Sequence, residues 1–133
     1  MNKEENETVS RSNALQSIRP VLNLEKIEES NQEKFQNEVL RPILKFQNDL
    51  LLSQFQNSKQ FKQQLERVDR SNKITFENGI RDFLKSNNAF RNKCYGLIIA
   101  LMTVEEHHIY SNDESEYNRR IIGMLLKRVV SQL

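Results

Sequence analysis

The chain has no tryptophan, one cysteine, two prolines and three glycines, and each shortage removes a class of structure. A lone Cys94 cannot close an internal disulfide, so no disulfide framework holds the fold together. Sheets joined by tight turns place glycine and proline at special backbone angles, and this chain has too few of either to supply them. Helices are what the composition permits. The longest apolar run, Leu97 to Val104, falls far short of the roughly 20 residues that a spanning helix requires, so no membrane segment is expected. The N-terminus has no basic start followed by an apolar stretch, which argues against a secretory signal and makes the cytoplasm the expected compartment. Neither sign of charge dominates. Lys and Arg total 20 against 18 Asp and Glu, and the formal charge of +2 is too small to imply a polyanionic partner by itself.

What is present fits one domain. A chain of 133 residues can bury an ordinary core without a metal or disulfide staple. Hydrophobic residues make up 37% and charged residues 29%, with a surplus of Asn and Gln, a balance suited to a bundle with a thin core and a wide polar surface. Mean hydropathy is −0.72, yet the apolar residues are periodic, which argues for folding. The expectation is an all-α fold, an irregular bundle of about five to seven helices in a single domain over 13–133, preceded by a polar, disordered tail over 1–12.

A short helix is expected from Ser12 or Asn13 to Arg19, because Leu15 and Ile18 lie three apart and Pro20 pushes the residue before it out of helical geometry. The stretch Val21 to Glu29 is ambiguous. Ser30 followed by Glu33 has the spacing of a capping box and opens the first long helix. Phe35, Val39, Ile43, Phe46 and Leu50 then recur at steps of four and three, beside a second stripe of Leu40, Leu44, Leu51 and Phe55. Pro42 sits inside this pattern and removes one backbone hydrogen bond, so either a kink or a break is expected near Val39 to Pro42. Phe-Gln-Asn occurs at 35, 46 and 55. Helical steps of 11 and 9 put the first two phenylalanines on one face and the third nearly opposite, which marks composition rather than a repeat.

Further along, Phe61, Leu65 and Val68 mark a helix from Ser58 to about Asp69. Phe76, Ile80, Phe83 and Leu84 mark another from Ser71 or Asn72 to Lys85, with Gly79 placed for close helix contact. Ala89 to Met102 continues as helix on the period of Phe90, Cys94, Leu97, Ile98 and Leu101, although Leu97 to Val104 taken alone also reads as a buried strand. Thr103 with Glu106 is a second capping box, opening a short helix to about Tyr110. After a polar link from Ser111 to Ser115, the last helix presents Tyr117, Ile121, Met124, Leu125 and Val129 inward.

Chemistry-bearing groups are sparse. His107 and His108 adjoin Glu105 and Glu106, and Glu105 with His108 at i, i+3 share a helix face. They are the only candidates for metal ligands and weak ones, because di-iron bundles need a second Glu-x-x-His and further glutamates. No cofactor is implied. Cys94, beside Tyr95 and Leu97, reads as a small buried hydrophobe, since only Arg91 and Lys93 hint at the electropositive site a reactive thiol needs. The carboxylate pairs Glu28–Glu29 and Glu105–Glu106 read as solvated. The two helices from Ser58 to Lys85 have the outline of a helix-turn-helix, with Arg67, Arg70, Lys73, Arg81, Lys85, Arg91 and Lys93 supplying positive charge. Glu66, Asp69, Glu77 and Asp82 interleave with these and dilute any phosphate-facing field, so nucleic acid is a disfavoured partner. The candidate polar site lies where polar residues interrupt strong apolar periodicity: Arg41, Gln47 and Asn48 on the first long helix, Arg91 and Asn92 on a later one. The bland reading of these five is that they cap helices or bond between them.

Several stretches carry a family resemblance: Ser17-Ile18-Arg19-Pro20, the block Arg41-Pro42-Ile43-Leu44-Lys45-Phe46-Gln47-Asn48, Phe90-Arg91-Asn92, and Gly96 to Glu106 ending Thr103-Val104-Glu105-Glu106. In these the chain resembles a group of small helical bacterial proteins of unassigned mechanism, some of which carry the label glyoxalase. The resemblance implies a helical fold and kinship, and glyoxalase, acting on small aldehydes, is the only enzyme label it suggests. The residues themselves point to a noncatalytic helical protein that binds another protein or itself, with a weak nucleic-acid-binding regulator as a further alternative.

Overall fold

The computed structural model describes residues 3–20 and 30–133, with side chains from Arg11 onward. The ambiguous stretch Val21 to Glu29, which includes the Glu28–Glu29 pair, lies outside the described residues. The helices run in the order α1 Lys3–Ile18, α2 Asn31–Phe35, a π turn Gln36–Leu40, α3 Arg41–Phe46, α4 Asn48–Gln56, α5 Lys59–Glu66, α6 Lys73–Ser86, α7 Asn88–Ile99, α8 Val104–Asn112 and α9 Glu114–Gln132. With Asn31 to Gln56 taken as one interrupted rod, the described residues form seven rods and no strand. The fold is an all-α, single-domain irregular bundle. No helix of the described residues is long and apolar enough to cross a membrane.

Helix α1 covers residues where the polar composition suggests a tail followed by a short helix beginning near Ser12; the structure has one helix from Lys3. Leu15 anchors it in the core. Arg11 donates to the carbonyls of Ala100 at 3.2 Å and Met102 at 3.3 Å, just past the end of α7, where helical carbonyls lack intrahelical partners. Arg19, just after α1, grips Glu106 with both guanidinium nitrogens at 2.7 and 2.9 Å.

The capping signals are met at several starts. Ser30 Oγ accepts from Glu33 N–H, Ser58 Oγ from Phe61 N–H, and Asn72 Oδ1 from the N–H groups of Ile74 and Thr75. Thr103 and Glu106 form the full reciprocal box at α8.

Proline 42 neither ends the helix nor interrupts it. Arg41 N–H reaches back five residues to Gln36 O, and α3 continues directly through Pro42. In a regular helix the pyrrolidine ring would collide with the carbonyl four residues earlier, and widening this turn makes room for it. One extra residue in a turn also rotates everything after it by roughly a quarter of a circle. The helix then breaks at Gln47, where φ is −88° and ψ is 4°. Together these offsets reorder the Phe-Gln-Asn positions: Phe35 and Phe55 are buried, while Phe46 and Leu50 are each 47% exposed. Uniform helical spacing predicts Phe46 and Leu50 inward; after the π turn and on either side of the break at Gln47, both face out.

Two aromatic clusters fix the core. Phe55 of α4, Phe61 of α5, Phe83 of α6 and Phe90 of α7 meet edge to face, with centroids 4.7 to 5.2 Å apart in four of their pairs. Phe35 meets Tyr117 at 4.5 Å, and Tyr110 stacks on Tyr117 at 6.4 Å. Helix α6 is central, packing against α5, α7 and α9. It comes close to the segment after α5 because residue 79 is glycine: a Cβ there would stand 2.8 Å from Val68 Cγ2, well inside van der Waals contact. Leu97 to Val104 is the end of α7, a turn and the cap of α8, not a strand.

Candidate functional site

Of the five residues singled out from the sequence, Gln47, Asn48 and Arg91 hold helices together. At the Gln47 break the side-chain Nε2 donates to Leu97 O at 2.9 Å. That carbonyl is orphaned within α7, because Leu101 N–H, which a continuing helix would aim at it, bonds Ile98 O instead. Asn48 accepts from Arg128 Nη1 at 3.0 Å and exchanges amide hydrogen bonds with Gln132, tying the start of α4 to the end of α9. Arg41 is half-buried on the same side; burial, and then the like charge of Arg41, lower the pKa of the Arg128 guanidinium.

Arg91 and Asn92 lie elsewhere, on the wall of a groove. Arg91 closes the C-terminal end of α6, donating to Leu84 O at 2.9 Å and to Asn88 Oδ1 at 2.6 Å. Asn92 is exposed beside it. The groove runs between α6 and α9 with α7 at one end and has a volume of about 700 Å³. A second hollow of about 620 Å³ continues it toward Arg70 and Leu133, the two sharing Glu77 and Lys127.

The walls follow from helical geometry. Residues four apart stand in a row along a helix. Lys73, Glu77, Arg81 and Lys85 line the α6 side, and Ser115, Arg119, Gly123, Lys127 and Ser131 line the α9 side. Between them Leu84 and Leu126 are buried, and Tyr95, Ile122 and Val130 are half-buried. Tyr95 has its hydroxyl pKa raised, mainly by burial.

Counting both hollows, the lining cations among the described residues are Arg70, Lys73, Arg81, Lys85, Arg91, Arg119 and Lys127, against Glu77 as the single lining side-chain carboxylate. Glu77 pairs with Arg81 at 3.3 Å, and Glu116, outside the lining, holds Arg119 at 2.6 Å. Arg70 stacks over the Phe76 ring at 5.1 Å and donates to Leu133 O. Among the described residues Lys73, Lys85 and Lys127 have no ion pair, and all three are exposed.

The remaining candidates do not converge. Glu105, His107 and His108 are exposed on α8, while Glu106 is taken up by Arg19 and the cap of its own helix. Among the described residues no three His, Cys, Asp or Glu side chains gather into a group that could hold a metal ion. Cys94 is fully buried, and burial pushes its thiol pKa up to about 12, far from the lowered range of a reactive thiolate. The α5–α6 pair expected of a helix-turn-helix is present, but residues 67–72 separate the two helices, longer than the roughly three- or four-residue turn of that motif.

The groove's cations are readable as individual charges in the sequence, and so is their spacing of four. Nothing local says that α6 and α9 are neighbours, which is the fact that turns two mixed-charge faces into one cationic channel. Compared with protein-family models, with curated proteins and with solved structures, the chain finds no match in any of the three.

Proposed function

We propose that this protein is a noncatalytic helical binding module of the cytoplasm whose working face is the α6–α9 groove and whose partner is an acidic protein segment. The observation that carries this reading is the pairing of an apolar floor with cationic walls, whose three lysines have no ion pair among the described residues. Protein interfaces have such an arrangement, an apolar centre within a polar rim. A nucleic-acid backbone would gain from the lysines but has nothing to set against Leu84, Ile122 and Leu126, and Glu77 and Glu116 weaken the field it would meet. The resemblance to glyoxalase-labelled proteins is taken here as kinship of fold.

Charge complementarity of this kind acts mostly through screened Coulomb forces, so binding should fall as salt rises. Fluorescently labelled poly-glutamate, titrated by anisotropy at low salt, is the probe. The double reversal Lys85→Glu with Lys127→Glu should weaken its binding by about tenfold or more, while Lys34→Glu on α2 should change it little. Equal binding by the groove variant and the parent would end this reading. Both lysines are exposed, so the variant should keep its fold.

A further inference from the structure

Resting on that reading of the groove, we propose that its occupant is an amphipathic acidic α-helix of a partner protein, seated over Gly123. Three observations lead there. First, both walls are rows of residues four apart, which is the ridge spacing that receives the ridge of another helix. Second, the walls are helices whose backbone groups bond within themselves. An extended peptide, which docks by adding its main chain to an open sheet edge, finds no such edge among the described residues. Recognition falls to side-chain packing, as when an amphipathic helix lies in a groove.

Third, the α9 wall has a notch. Gly123 stands between Arg119 and Lys127, and a Cβ built on it would meet nothing within 4 Å. Glycine at an exposed position in the middle of a helix costs roughly 1 kcal/mol relative to alanine, and no contact among the described residues requires it here. A helix crossing at that point comes closest to the α9 backbone, as small residues allow. Helix α6 has 14 residues, a length of about 21 Å at 1.5 Å per residue, so about four turns of partner fit alongside. Its apolar stripe would cover Tyr95, Ile122 and Leu126, and its acidic flanks would meet Lys85 and Lys127.

The test uses two synthetic peptides of equal length and charge, about 16 residues long. One is a stapled helix with leucine at i, i+3, i+4 and i+7 and glutamate on its flanks; the other carries the same residues with its helix broken by two central prolines in place of the staple. The stapled helix should bind the full chain at least tenfold more tightly than the broken one. Gly123→Leu should cost at least tenfold in that binding. Because the added side chain projects into open space, this variant should melt no lower than the parent, and a circular dichroism melt checks it. Gly123→Ala, which adds one methyl group, should lose less.

Equal binding by both peptides, unaffected by Gly123→Leu but weakened by the Lys85 and Lys127 reversal, would overturn the helix and leave the acidic-partner groove standing. Failure of both peptides to bind, or tighter binding of duplex DNA than of either, would overturn both.

Discussion

Phe83→Ala should cost about 4 kcal/mol of folding stability, the range expected when a buried phenylalanine is cut back to alanine. The Phe83 side chain is 1% exposed and its ring lies 4.9 Å from Phe90, 5.2 Å from Phe61 and 6.4 Å from Phe55. Truncation removes the transfer energy of the ring and two edge-to-face contacts worth about 0.5–1.5 kcal/mol a pair. It also opens a cavity bounded by α4, α5 and α7, and three helices holding one another in place cannot collapse freely into it. Urea unfolding of parent and variant gives the difference. A loss below about 1 kcal/mol would mean that the four-ring cluster does not organise the core. Phe46→Ala provides the contrast: with 47% exposure, that ring should cost about 1 kcal/mol or less.

The second large effect falls at the contact between Arg19 and Glu106, 87 residues apart in the chain. Their side chains are 9% and 15% exposed, and the bond is bidentate. Removing one member of a pair this enclosed strands the other without water to replace it. Glu106 has a second task, accepting from Thr103 N–H at 2.9 Å to complete the cap of α8, and a lost cap costs about 1 kcal/mol. Arg19→Ala should therefore cost about 2 kcal/mol and Glu106→Ala about 3 kcal/mol. The double variant should cost clearly less than their sum, because the second substitution removes a partner already orphaned. Additivity within about 0.5 kcal/mol in the double-mutant cycle would show that the two residues do not stabilise each other.

Much of the fold is legible in the sequence because local rules and tertiary packing agree there. Tyr117, Ile121, Leu125 and Val129 recur at helical spacing and are buried along α9. Thr103 with Glu106 reads as a capping box and is one. Legibility fails where a single residue changes the phase. A proline inside an apolar pattern announces a disturbance, but a π turn that preserves the helix and a break five residues later are equally compatible with the same letters. Phe46 and Leu50 are misplaced for that reason. The start of helix α1 is not legible, because a polar stretch without an apolar repeat does not announce a helix, and the contacts of Arg11 reach carbonyls 89 and 91 positions away.

The candidate polar residues divide along the same line. Gln47, Asn48 and Arg91 interrupt apolar runs, and each satisfies a helix end or links two helices. The groove is assembled from α6 and α9 residues 30 or more positions apart, a pairing that only the packed bundle reveals.

On the proposed reading, a partner binds between α6 and α9. The most direct measurement is an amide chemical-shift map of the ¹⁵N-labelled protein as the stapled acidic helix is added. On that reading the largest shifts should fall along α6 from Glu77 to Lys85 and along α9 from Arg119 to Lys127, centred on Gly123. Shifts centred instead on the exposed Phe46–Leu50 face, or on Glu105 and His108 of α8, would contradict it.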